Sequence, residues 1–204
     1  VGDPVVISYF DSFEGDNPYG FLTNFFVGAE PLRFRGREYL SGEHMFQAFK
    51  ARTRADHDRI AAAKTPAEAK AEGKHYLRLR PDWERVKYDV MRLVLATKYR
   101  LEREEGPLLL ATGDALLVEG TTCGDRVWGV DLKTGRAEHP EAALLNLEAG
   151  GGWEPGEGWQ YSPGRNWLGL LAMARRAELV AEVRGCPPFP YGDLIAFVTD
   201  VPRG

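Results

Sequence analysis

The sequence predicts an α+β fold: a single helix-rich domain over residues 1–204, with a small β region at its start and a long Gly-rich insertion at 131–163. Three observations carry that prediction. Apolar residues run together or alternate within the first forty positions, as in strands. From Ser41 onward they recur at spacings of three and four, as in helices. Gly150-Gly151-Gly152 with its flanking GWEPGEGW then interrupts all periodicity.

The apolar run at 5–10 reads as the first strand, and the alternation at 32–40 folds back at Arg35-Gly36 as a hairpin. Between them NPYGFLTNF is a loop, announced by Asn17, Pro18 and Gly20 and rich in aromatics. Ser41 can cap a helix running through SGEHMFQAFKAR. Thr65-Pro66-Ala67-Glu68 combines a capping box with Pro at the first helical position. After Pro81-Asp82, the residues Trp83, Val86, Val90, Leu93, Val94, Thr97 and Leu101 form one stripe of the longest helix, which Gly106-Pro107 is expected to end. A short strand follows at 116–119, then the turn-rich TTCGDRVWG, and a last helix spans 166–184 with Leu168, Leu171 and Leu179 toward the core. The tail CPPFPYGDLIAFV is Pro-rich and then briefly strand-like.

Composition excludes several function classes. Lys plus Arg number 26 against 30 Asp plus Glu, a net charge of −4, so no basic surplus is available to grip a long nucleic-acid backbone. No stretch reaches the ~20 apolar residues of a membrane span, and VGDPVVISYF has none of the features of a secretory leader. A cytoplasmic protein without membrane association is the expectation. Cys123 and Cys186 share no CxxC spacing, and His44, His57, His75 and His139 have no metal-ligand spacing, so neither a thiolate zinc site nor metal catalysis is expected. Apart from His44, these histidines sit on segments that read as exposed. Phosphate loops, dinucleotide fingerprints and nucleophile elbows are absent.

Four clusters remain as candidates for chemistry. At ~100° per residue, Glu43, Gln47 and Lys50 share one helix face, with Phe46 beside them and Met45 and Phe49 opposite. That row reads either as a solvated charged face or as a fixed carboxylate, amide and ammonium, with Glu43 favoured as an anion in the first turn. Asp125 and Trp128 in DRVWG offer a carboxylate and a stacking surface, or simply a turn around a buried Trp. Asn166 in GRNWLG either caps the last helix or helps receive an anion at its N-terminus. GFLTNF in the early loop is the fourth.

The order of these segments carries more than any one of them. YGFLTNF, SGEHMFQAFKA, AEAKAEGK, DWERVKYDVMRLVLATKY, LLLATGDALLVE, DRVWG and GRNWLG succeed one another as in the NADAR family, and the chain resembles that family from about Ser8 to Leu179. The departure is the stretch 131–163, longer here than the corresponding passage in compact members.

The resemblance implies an N-glycosidase that breaks a ribose C1′–N bond; with no metal-ligand spacing in the chain, a metal-independent reaction without a cofactor is the expectation. It places Glu43, Lys50 and Asp125 at catalytic positions. Asn24, Phe25, His44, Phe46, Gln47, Trp128, Gly129, Asn166, Leu168 and Gly169 fall at substrate-binding ones. The substrate preferred on this resemblance is ADP-ribosylated guanine in nucleic acid, reached on a short single strand. Functional pairing with an ADP-ribosyltransferase toxin would follow, with the chain acting like an antitoxin. The alternatives are a phosphorylated ribosylamino-pyrimidine intermediate of riboflavin synthesis, and a non-catalytic module that binds ADP-ribose. The chemistry suits the residues: a departing base leaves positive charge on C1′ and the ring oxygen, which a carboxylate stabilises while a second group protonates the base or activates water. Lys50 would bind phosphate or ribose, or act covalently as an amine nucleophile.

Overall fold

The computed structural model describes residues 5–10, 17–75, 78–121, 124–131, 164–189 and 191. Beyond Asp131 the Gly-rich insertion lies outside these, as do Cys123, His139 and the expected tail strand. The chain divides into two compact units, Val1–Thr23 with Thr112–Ala174, and Asn24–Ala111 with Arg175–Gly204. No described helix is long and apolar enough to cross a membrane.

The first unit is built on a parallel sheet. Strand β1 (Val6–Phe10) pairs with β4 (Leu116–Thr121), from Val6 opposite Leu116 to Phe10 opposite Gly120, and β4 pairs in turn with β5 (Val130–Asp131). The two strands of the β1–β4 pair are therefore joined by over a hundred residues, as parallel neighbours require a crossover. Val118 and Val130 form the buried centre, with Val6, Leu116, Leu170 and Met173 packed on them. A 3-10 turn, Gly20–Leu22, buries Phe21 and Leu22. The first turns of the last helix, α6 (Trp167–Val183), also belong to this unit.

In the second unit, β2 (Leu32–Phe34) and β3 (Arg37–Tyr39) form the expected hairpin. Its turn residues Arg35 and Gly36 have φ of 47° and 74°, the left-handed pair that matches strand twist in a two-residue loop. Five helices follow: α1 (Gly42–Ala48), α2 (Arg54–Ala61), α3 (Pro66–His75), α4 (Trp83–Lys98) and α5 (Glu105–Ala111). Helix α1 packs against β3, α2, α3 and α4, and every one of its residues is buried. Thr65 caps α3 as expected, its Oγ1 accepting Glu68 N–H at 3.1 Å, but the Glu68 carboxylate reaches past the cap to Lys64 N–H at 2.8 Å.

Two expectations change. Gly106-Pro107 does not end the long helix; α4 stops at Lys98, and the pair lies in the first turn of α5, where Pro loses no hydrogen bond. Leu101 accordingly falls outside the stripe and is exposed, whereas Trp83, Val86, Val90, Leu93, Val94 and Thr97 are buried. The first helix is also shorter than SGEHMFQAFKAR, because residues 50–52 leave it to pair with another stretch of backbone. Arg80 N–H donates to Lys50 O at 2.9 Å and Arg52 N–H to Arg78 O at 3.0 Å.

Asn166 binds the start of α6 to β4. Its Nδ2 donates to Leu117 O at 2.9 Å and its Oδ1 accepts Glu119 N–H at 3.0 Å, while its φ is 49°, a left-handed value that Asn tolerates. Both backbone groups would be orphaned by Asn166→Ala, each at about 1–3 kcal/mol. Urea unfolding of that variant should show a loss of ~3 kcal/mol, and Asn166→Gly, which relieves only the backbone, should recover little of it.

Candidate functional site

Helix α1 carries its polar residues into the interior. Ser41 caps it, its Oγ accepting His44 N–H. Glu43 is only 6% exposed, His44 0% and Gln47 4%, so Glu43 and Gln47 do not stand on a solvated face, while Lys50 is half-buried. Burying such groups is costly unless they are hydrogen-bonded, and each has partners. Gln47 Nε2 donates to Glu43 Oε1 at 2.7 Å, and Glu43 N–H donates to Asn24 O at 2.8 Å. Asn24 itself is buried, with Nδ2 3.4 Å from Met91 Sδ.

His44 uses both ring nitrogens inside the protein. Nε2 is 3.1 Å from Ala63 O, which can only accept, so Nε2 carries the proton and Nδ1 accepts from Ser41 Oγ at 2.8 Å. The imidazole thereby locks α1 to the segment after α2. Burial holds its pKa below the ordinary 6.5, against the pull of the Ala63 carbonyl and Glu68.

Lys50 follows the helix rather than standing on it. Its N–H still reaches Gln47 O at 3.1 Å, but its carbonyl is tied to Arg80 N–H. The ammonium lies 5.1 Å from the Phe46 ring centroid and 5.5 Å from that of Trp83, and these rings meet edge to face at 5.2 Å. Both rings lie within cation–π reach of the amine. Arg80, whose side chain is fully buried, anchors this corner through a bidentate pair with Asp82 at 2.6 and 2.9 Å. Phe25, half-buried, has Lys70 Nζ 5.0 Å from its ring. The structure thus brings Asn24, Glu43, His44, Phe46, Gln47 and Lys50 into one neighbourhood of the second unit and adds Trp83, which the sequence reading had assigned only to the core stripe.

The remaining candidates assemble in the first unit. Asp125 Oδ1 accepts from Val127 N–H at 2.9 Å and Trp128 N–H at 3.0 Å, a turn that fixes the half-buried Trp128. Three backbone bonds then zip DRVWG to GRNWLG: Arg165 N–H to Arg126 O, Trp167 N–H to Val127 O and Leu168 N–H to Trp128 O. Glycines permit the closeness. A Cβ on Gly129 would sit 2.7 Å from Glu119 O, and one on Gly169 would strike Leu117 O. Leu168 is buried, and the Asn166 amide is occupied by β4, so its side chain does not cap the helix. Glu119, 8% exposed beside Asn166, is a buried carboxylate that the sequence reading missed. Its only signal was an acid inside the apolar LLVEGT.

His57, expected on an exposed segment, is instead tucked against Tyr39 and Phe49. Its Nε2 is 3.1 Å from Tyr39 Oη and its Nδ1 3.4 Å from Asp58, which Arg37 also binds. Burial lowers the imidazole's pKa and pushes the Tyr39 phenol up to about 12. Among the described residues no group of three or more His, Cys, Asp and Glu is placed to hold a metal ion, and Cys186 is an exposed free thiol.

The second unit holds a polar row buried on a short helix with an aromatic corner around a lysine, the first a Gly-mediated junction between two motifs, and comparison with known proteins says to which family they belong. The NADAR domain family matches residues 9–180. N-glycosidase YbiA of Escherichia coli (strain K12) is 31% identical over 171 residues, covering 83% of this chain and 88% of that protein. The solved structure of E. coli YbiA superposes with a TM-score of 0.66 at 30% identity, covering 90% of each chain. N-glycosidase Npun_R5314 of Nostoc punctiforme is 33% identical over 134 residues, 64% of this chain and 84% of that one. Riboflavin biosynthesis protein VVA0006 of Vibrio vulnificus is 30% identical over 118 residues, 57% of this chain but 31% of that protein. The chain belongs to the NADAR family, and with it to the N-glycosidase class of hydrolases.

The two depressed histidines set an acid limit on this site. Unfolded, each takes up a proton near pH 6.5; folded, each resists until lower pH. The unfolded state therefore holds more protons below that value, and stability falls with pH. Denaturant midpoints should be flat above pH 7 and decline below about 6.5, with His44→Gln and His57→Gln each removing part of the slope.

Proposed function

We propose that this chain hydrolyses the C1′–N bond between a phosphorylated ribose and a base, with Glu43 as the carboxylate facing the charge that develops on C1′. The observation that carries this reading is the buried Glu43–Gln47 pair. Glu43 stands in the first turn of α1, where the helix dipole favours an anion, and the Gln47 amide donates to it at 2.7 Å. An oriented carboxylate of low exposure is worth far more to a cationic transition state than a solvated one. Lys50, in its corner of Phe46 and Trp83, suits a phosphate or the ribose hydroxyls. The family resemblance nominates Asp125 as the second acid; one of its carboxylate oxygens orients Trp128.

The small substrate class is favoured over the modified nucleic acid. A relative is named for riboflavin biosynthesis, and a net charge of −4 leaves no electrostatic track for a strand. The leading substrate is accordingly a phosphorylated ribosylamino-pyrimidine. ADP-ribosylated guanine is the second reading, supported by the resemblance to the NADAR family and by Trp128 as a stacking surface for a flat base. Wild-type protein should release ribose phosphate rapidly from the pyrimidine substrate. Faster cleavage of an ADP-ribosyl-guanine oligonucleotide would transfer the assignment to the second class.

Glu43→Gln should remain folded and lose ~10²–10³ in kcat, the scale of one electrostatic group aimed at a transition state. Turnover near wild type would remove Glu43 from the mechanism. Lys50→Arg keeps the charge but cannot form an imine. If Lys50 acts only through charge, Lys50→Arg should retain most activity and cyanoborohydride should trap no sugar on the wild-type chain. An inactive Lys50→Arg with a trapped adduct on Lys50 would establish the covalent route.

A further inference from the structure

We infer that Gly73 and Gln47 act together as positioning residues for Glu43. In this arrangement helix α3 presses the Gln47 amide onto the carboxylate. The inference rests on the reading of Glu43 given above and extends it to a segment, AEGK, that the proposed chemistry does not use. Helix α3 is mostly solvated and buries only Ala69 and Gly73, four residues apart, so its backbone approaches α1 along a face of small side chains. Gly is a poor helix former because it loses the most backbone entropy, and φ at Gly73 is not among the left-handed values that would call for it. The reason for glycine is steric. A Cβ at position 73 would collide with Gln47 Oε1 and would lie 2.8 Å from Cδ and 3.0 Å from Cβ of the same side chain.

The amide is thus held by shape on one side and by charge on the other. Its Oε1 is buried against α3 without a hydrogen bond, while its Nε2 donates to Glu43 at 2.7 Å. The reverse orientation would turn the oxygen toward the carboxylate, so Glu43 selects the observed one. An alanine at 73 would occupy the volume of the amide oxygen, rotate Gln47 and release Glu43 from its donor. Gly73 touches no reacting atom in this scheme; it acts through Gln47, and Gln47 through Glu43.

A double-mutant cycle tests the coupling, read on whichever of the two proposed substrates the wild-type protein turns over. Gly73→Ala should lower kcat at least tenfold with KM within twofold, and Gln47→Met, which keeps the packing but lacks the donor, should do the same. Adding Gly73→Ala to Gln47→Ser, which makes room for the methyl, should cost no further activity and should restore any folding that Gly73→Ala alone has lost. A substrate-free readout accompanies these: the 13C-detected titration of the Glu43 carboxyl should move upward in Gly73→Ala and Gln47→Met. Wild-type kcat in Gln47→Met, an equal further loss on adding Gly73→Ala to Gln47→Ser, or an unmoved Glu43 titration would overturn the inference. Full activity of Glu43→Gln would instead overturn the catalytic reading while leaving the titration as a test of the coupling.

Discussion

Burial of a polar helix is the constraint on which the second unit depends. Seven residues of α1 are withdrawn from solvent with a carboxylate, an imidazole and an amide among them. Solvent loss at such groups is offset only where each finds a partner. The surrounding elements supply them: Ser41 and the Ala63 carbonyl for His44, the Asn24 carbonyl for the Glu43 N–H, and Gln47 for the Glu43 side chain. A helix this short is marginal by itself. It persists because β3, α2, α3 and α4 enclose it, so the polar row is rigid for the same reason that it is buried.

The first unit obeys a different rule. Its parts are joined by close backbone approach together with two side chains, Asn166 and Asp125, that bond backbone. Glycines at 129, 164 and 169 stand where any Cβ would strike backbone atoms, and Asn166 fastens the helix start to β4 through its amide. The Asp125 turn then presents Trp128 from a frame with little freedom.

Charge and acidity follow from these arrangements. Two imidazoles have their pKa lowered by burial, the one locking α1 and the other bridging Tyr39 to the Asp58–Arg37 pair. Neither is arranged as a metal ligand, and both ring nitrogens of His44 have structural partners. Lys50 instead lies against Phe46 and Trp83, so a carboxylate stands on the helix and an amine just beyond its end.

Periodicity and capping chemistry determined the local elements, since these depend on neighbours within a few residues. The stripe from Trp83 to Thr97, the Thr65 cap and the Arg35-Gly36 turn were legible without any tertiary information, and the order of seven motifs was enough to suggest the family. What the sequence could not contain was which faces meet. The row of Glu43, Gln47 and Lys50 reads equally well as a solvated surface, because spacing places residues on a face but does not say what covers it. Packing buried Glu43 and Gln47 and ended α1 before Lys50 through pairing with residues 78–80. The same packing turned Gly106-Pro107 from a helix stop into a helix start and placed Glu119 beside Asn166. It also decided why Gly73 is glycine, since that reason lies in a side chain twenty-six positions earlier, brought near only by the packing of α3 on α1.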